Sequence, residues 1–132
     1  MTKVMCSPPH AIVFVLDPTD SAVVIPEYIE GQPVASTESC VSIVTQTPED
    51  GEVTLEMIQG GSPPSGMHSA FHGGVFSSSG RVAVVQTGME MLTELEVEPG
   101  LIPLSVWLDD LSFPAHVFIN IGSINYEYGS AA

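Results

Sequence analysis

His68 and His72 stand four residues apart, a spacing that could do chemistry in this chain of 132 residues. On a helix it would aim both rings at one side and could hold a metal ion. Here Ser62-Pro63-Pro64-Ser65-Gly66 precede the pair and Gly73-Gly74 follow it. At most one helical turn fits between such breakers, and no Glu stands beside His68 as a zinc protease would need. Cys6 and His10 could add ligands, but Pro8-Pro9 between them fixes an extended backbone. The expectation is loop histidines in solvent, no metal and no cofactor. His116, next but one to Pro114, fits a structural histidine near the end of a strand.

Nucleophilic chemistry has no better footing. No Gly-x-Ser-x-Gly elbow occurs, and Ser77-Ser78-Ser79 reads as a polar turn. The carboxylate pairs Asp109-Asp110 and Asp17 with Asp20 lie in turn-like contexts, where Asp accepts hydrogen bonds from local backbone amides. The Gly-rich run Gly60-Gly61-Ser62-Pro63-Pro64-Ser65-Gly66 lacks the Lys of a phosphate-binding loop. A protein that is not an enzyme is expected.

The elements that would position these residues are strands. Glu52-Val53-Thr54-Leu55-Glu56-Met57 alternates polar with apolar, as on a strand with one wet and one dry face. Glu94-Leu95-Glu96-Val97-Glu98 repeats the pattern, and Val117, Ile119 and Ile121 would share one face of another strand. Ala11 to Leu16, Ala22 to Ile25, Val41 to Thr45, Arg81 to Gln86 and Leu104 to Leu108 complete the set. Several are continuous aliphatic runs, expected of strands covered on both sides. Thr47 to Gly51 reads as a hairpin turn, and Pro99-Gly100 supplies fixed then positive φ for a tight turn. Gly88 to Glu96 reads as either a short helix or a strand.

These spacings predict an all-β fold: an antiparallel β-sandwich or jelly-roll-like barrel of about eight or nine short strands in a single domain spanning 1–132. A long loop is expected at Gly60 to Gly74 and a frayed tail at residues 129–132.

Charge is the most unusual property of the composition. Lys3 and Arg81 are the only basic side chains besides His against sixteen Asp and Glu, a net charge of -14. An average chain of this length would carry about sixteen Lys and Arg, so the acids are ordinary and the bases are missing. Such a field repels nucleic acid and anionic membrane and attracts cationic partners. The same balance occurs in halophilic proteins, so the salt of the host is left open. No apolar run approaches the ~20 residues of a membrane helix, and a cytoplasmic protein is expected. Cys6 and Cys40 permit a disulfide without requiring one; in a reducing compartment they are two small semi-buried side chains.

From Gly51 to Ile121 the chain resembles small acidic all-β bacterial proteins of the immunity and nuclease-inhibitor type, among them the inhibitor of the competence nuclease. The residues that carry the resemblance are the charged strand, then Val97-Glu98-Pro99-Gly100, then an apolar strand ending in Val106-Trp107. The resemblance implies a protein that binds and blocks a toxin or nuclease in the same cell. A partner protein of basic character is expected. Its contacts would be Glu52, Glu56, Glu94, Glu96 and Glu98 on the acidic strand faces, with Met67 and Phe71 of the long loop as apolar anchors. The alternatives are a small-ligand-binding β-sandwich, with the long loop as a lid, and a structural or assembly subunit, with self-association open.

Overall fold

The computed structural model describes residues 2–122; the tail expected at 129–132 lies outside them. Ten strands form: β1 (Thr2–Cys6), β2 (Ile12–Leu16), β3 (Val34–Ser36), β4 (Cys40–Val44), β5 (Val53–Gln59), β6 (His68–Ser77), β7 (Arg81–Gln86), β8 (Glu90–Glu96), β9 (Gly100–Leu108) and β10 (His116–Ile121). Two five-stranded sheets result. Sheet A has the order β1-β5-β10-β9-β6, and sheet B the order β3-β4-β2-β7-β8. The fold is an all-β sandwich, as the alternating and aliphatic runs predict.

The dry faces meet between the sheets. Val53, Leu55 and Met57 of β5, Leu104 and Val106 of β9 and Ile119 of β10 face Val13, Val15, Val41, Ile43, Val82 and Val84 of sheet B, all essentially inaccessible. Each such side chain contributes roughly 1.5–3 kcal/mol on leaving water. The aliphatic runs of sheet B have a second dry face. Leu16, Cys40, Ala83 and Val85 form a smaller buried cluster on the outer side, with Phe14 and Val23 packed against it. Val23 belongs to the β2–β3 connection, so that loop is what covers sheet B.

Several elements differ from expectation. Ala22 to Ile25 forms no strand; Val24 is tied instead to Thr37 and Ser39 through side-chain hydrogen bonds of 2.6 and 2.8 Å. Gly88 to Glu96 yields no helix: positive φ at Gly88 and Met89 closes a tight turn into β8. The turn at Thr47 to Gly51 closes no hairpin, because Pro48–Asp50 is a short 3₁₀ turn passing the chain from β4 in sheet B to β5 in sheet A. The stretch from Gly60 to Gly74 is loop only as far as Met67, after which it becomes edge strand β6. A bulge between Ser69 and Phe71 and the pair Gly73-Gly74 erase the period-two signal there. Strands β1 and β3 were not foreseen, and β5 and β10 run parallel where only antiparallel pairs were expected.

The two sheets are fastened at one end by Asp17, which follows β2 and is 1% exposed. Its Oδ1 accepts hydrogen bonds from Thr19 N (2.8 Å) and Thr19 Oγ1 (2.7 Å). Its Oδ2 accepts from Ser77 Oγ (2.8 Å), Ser79 Oγ (2.8 Å) and Ser79 N (3.1 Å). Ser77 ends β6 in sheet A and Arg81 begins β7 in sheet B, so one carboxylate braces the crossover between layers. Burial alone would raise its pKa. The bonds from Thr19, Ser79 and Ser77 outweigh that and hold the group well below the ordinary carboxylate range. At the same corner Gly80 has φ 81° and its carbonyl accepts from Val97 N at 2.7 Å. A Cβ there would press into the Val97 carbonyl oxygen.

The cysteines stay thiols: Cys6 lies in the core between the sheets and Cys40 in the cluster outside sheet B. Burial pushes the Cys40 thiol up to about 12. Burial first, and then the negative charge of Glu52, raises that of Cys6.

Asp17→Ala is expected to lower stability by about 3 kcal/mol in chemical denaturation, since it removes the acceptor of the buried Ser77 hydroxyl and of the part-buried donors of Thr19 and Ser79 at once. The pH dependence has a fixed sign. The folded pKa is depressed below the unfolded value of about 3.9, so the stabilisation is complete above that value, declines below it and is lost as pH falls through the folded pKa. The gap between wild type and Asp17→Asn should therefore be widest at neutral pH and close as pH is lowered through the acid range. Gly80→Ala should cost at least about 2 kcal/mol, from left-handed strain plus the clash; a denaturation midpoint within error of wild type would contradict this geometry.

Candidate protein-binding surface

The acidic residues singled out in the sequence do not form one face. Glu52 and Glu56 belong to the sheet A side, and Glu94, Glu96 and Glu98 lie on or just after β8 at the edge of sheet B. Glu52, Glu96 and Glu98 are exposed. Glu56 is not on a wet face: it is 9% exposed, and its Oε1 lies 2.7 Å from His116 Nε2. Strand β10 lies beside β5, with Phe118 opposite Glu56 in the register, and this neighbour buries the carboxylate. Glu94 is half-buried and engaged by Arg81, with Nη2 to Oε2 at 2.7 Å and Nε to Oε2 at 3.1 Å.

The expected apolar anchors are also largely spent inside the fold. Met67 is half-buried. Phe71 packs against the core, and its ring lies over Gly73, where a Cβ would come within 2.6 Å of its Cζ. His68 and His72 stand on β6 and not in an open loop. His72 meets the Trp107 ring edge-on at 6.1 Å, and its Nε2 lies 3.0 Å from Ser69 Oγ. Among the described residues no three His, Cys, Asp or Glu side chains gather closely enough to hold a metal ion.

Met5, Phe76, Met89, Met91 and Leu101 are exposed on or beside strands; a concave apolar surface lies at the end of the sandwich where β2 and β10 begin and β4 ends. Residues 17–33 connect β2 to β3 without regular structure, apart from turns. They expose Val24, Ile25, Tyr28 and Ile29, with Tyr28 64% accessible. Across from Tyr28, the β9–β10 loop exposes Leu111 and Phe113, the latter 67% accessible. Two adjoining hollows of about 220 and 400 Å³ share Tyr28, Val44 and Phe113 as a common wall. Together they make an open groove, floored by Ile12 and Val44 and bordered by Glu30.

Local chemistry explains how this groove is held. Asp110 Oδ1 accepts from Ser112 N (2.7 Å) and Phe113 N (3.0 Å), forming the turn that projects Phe113. Those backbone bonds, that of Phe113 first, keep the Asp110 carboxyl below the usual range and so keep it charged. Asp109 Oδ1 takes Ala115 N and His116 N, both at 3.0 Å. Main-chain bonds stitch the walls together: Thr45 N to Ala11 O, Gln46 N to Pro114 O and Val44 N to Pro33 O, each 2.9 Å. Beside the groove, His10 (φ 61°) and Ala11 (φ 57°) are successive left-handed residues. Conformations of this kind cost about 1–3 kcal/mol each and concentrate at functional sites. The sequence held one usable signal for this surface. Pro26-Glu27-Tyr28-Ile29 lies outside every strand expected from the sequence and is closed by Gly31 and Pro33, so Tyr28 and Ile29 had no strand or helix face on which to be buried.

The architecture is a two-layer sandwich with an exposed groove built from loops at one end. The solved structure of ComJ, inhibitor of the DNA degrading activity of NucA, from Bacillus subtilis, has the same fold: TM-score 0.69 over 94% of this chain and 96% of that one, at 11% identity. The protein described as Crocagin biosynthetic gene J is similar over 92% of this chain and 94% of its own, with TM-score 0.54 and 11% identity. At these identities the likeness is one of fold. It extends beyond the second half, where the sequence resemblance lies. No protein-family model matches the chain, and no curated protein matches it in sequence.

The His116–Glu56 pair can be tested apart from the groove. His116→Ala leaves the Glu56 carboxylate buried without this partner and should cost roughly 1–3 kcal/mol at neutral pH. Adding Glu56→Gln should recover part of the loss in a double-mutant cycle; strictly additive losses would mean that the two side chains are not coupled.

Proposed function

We propose that this protein is a non-enzymatic, acidic inhibitor-type module that binds and blocks a basic protein, a nuclease being the favoured kind of target. The observation that carries the reading is uncompensated charge on this fold. Of two basic side chains against sixteen acidic ones, Arg81 is taken up by Glu94, leaving Lys3 as counter-charge. A nuclease that grips phosphates presents a basic cleft, and an anionic inhibitor meets such a cleft faster than diffusion alone would bring it. The fold likeness to ComJ supports the same direction, since that protein is an inhibitor of a DNA-degrading activity. The site of action is taken to be the cytoplasm, in keeping with two buried free thiols. Among the described residues no helix is long and apolar enough to cross a membrane.

Capture with tagged protein at low salt, followed by a salt gradient and mass spectrometry, should release one stoichiometric basic protein. If that protein degrades DNA, equimolar addition of this chain should abolish the activity, and the association rate should fall steeply with ionic strength. Recovery of the chain alone, with a size-exclusion mass well above 13.9 kDa, would favour an assembly subunit instead.

A further inference from the structure

The exposed groove at the β2–β3 end has features that general acidity does not explain. Tyr28, Leu111 and Phe113 hold large apolar surfaces in water, an unfavourable arrangement unless something covers them. The Phe113 side of the groove is built in. Asp110 sets the turn that lifts Phe113, and main-chain bonds from Thr45 and Gln46 fix the neighbouring walls on Ala11 and Pro114. A surface held rigidly before binding loses less entropy when a partner arrives.

Charge decides the kind of occupant. Glu30 is the charged residue in the lining of the two hollows; Glu49, Asp50, Asp109 and Asp110 lie within a few residues of other lining positions, and these segments carry no Lys or Arg. An apolar seat with an acidic rim fits a polypeptide segment that presents a large apolar side chain between Lys or Arg residues. The hollows, about 220 and 400 Å³, have room for one or two such side chains. They are walled by side chains that stay largely in solvent, which suits a protein loop better than an enclosed metabolite.

We infer that the Tyr28–Phe113 groove is the docking site for an apolar segment of the partner protein flanked by basic residues. Tyr28 and Phe113 act as the apolar clamp, and the acidic rim receives the flanking cations. This rests on the inhibitor reading above, and it locates the contact away from the Glu-bearing strands and from Phe71.

The test uses a defined probe, the blocked hexapeptide Lys-Arg-Leu-Phe-Arg-Lys, with Lys-Arg-Ser-Ser-Arg-Lys as a control of equal charge. Titrations are followed by amide and aromatic NMR shifts. The expected result is saturable, salt-sensitive binding of the first peptide, with shifts centred on residues 10–12, 28–33, 44–47 and 111–113. The control should bind at least about tenfold more weakly, and Tyr28→Ala with Phe113→Ala should weaken the first peptide by at least about tenfold. Both side chains are exposed, so the double variant should keep the wild-type melting temperature, which is measured alongside. Equal binding of the two peptides, shifts confined to β8, or a folded double variant that binds as tightly as wild type would each overturn the inference. Two further outcomes separate it from the inhibitor reading. A basic partner captured equally by wild type and double variant removes the groove and leaves the inhibitor. Peptide binding at the groove without any basic partner in the cell leaves the groove and removes the inhibitor.

Discussion

The crossover between the two layers is fixed by a single buried carboxylate. Asp17 sits where β2 ends and where the chain crosses from β6 to β7, and it gathers hydroxyl and amide donors from Thr19, Ser77 and Ser79. An isolated buried charge would be strongly unfavourable; surrounded by donors it becomes a directional fastener. Strand β2 then links the two ends of the molecule. Its last residue leads into this fastener, and its first, Ile12, lies in the groove, about 17 Å away at ordinary strand rise.

The same device recurs in place of ion pairs. With almost no Lys or Arg, the carboxylates that shape loops are satisfied by neutral donors: Asp20 by Ala22 N, Asp109 by Ala115 N and His116 N, Asp110 by Ser112 N and Phe113 N. Hydrogen bonds from backbone amides are short-ranged and little affected by salt, whereas the net field of the surface is long-ranged and screened. Stability and long-range attraction thus rest on different terms. Ionic strength can screen the surface field without loosening the turns that shape the groove.

How much of this was legible in the sequence depended on whether burial imposed a period. Arg81–Gln86 was readable to the residue because all of Val82–Val85 is buried, β5 because Val53, Leu55 and Met57 make one dry face, and β10 because Val117, Ile119 and Ile121 alternate within a run buried on both faces. Strand β6 was hidden by its bulge and its paired glycines. Glu56 reads as solvent-facing because alternation reports which face a residue takes and not what lies over that face; the parallel neighbour β10 decides that. Tyr28 and Phe113 belong to loops, where no period exists, and their placement follows from turns built by carboxylates and from contacts between distant segments.

The parallel pairing of β5 with β10 has a consequence for biogenesis. Every strand of sheet B lies before residue 97, whereas sheet A is two separate ribbons, β1 with β5 and β9 with β6, until β10 slides between them. On the ribosome the nascent chain can therefore complete one layer while the other still has a gap as wide as a strand. The unfilled edges of β5 and β9 would offer backbone donors and acceptors to any passing strand. Residues 116–121 fill that gap, and sheet A becomes continuous only once they have emerged.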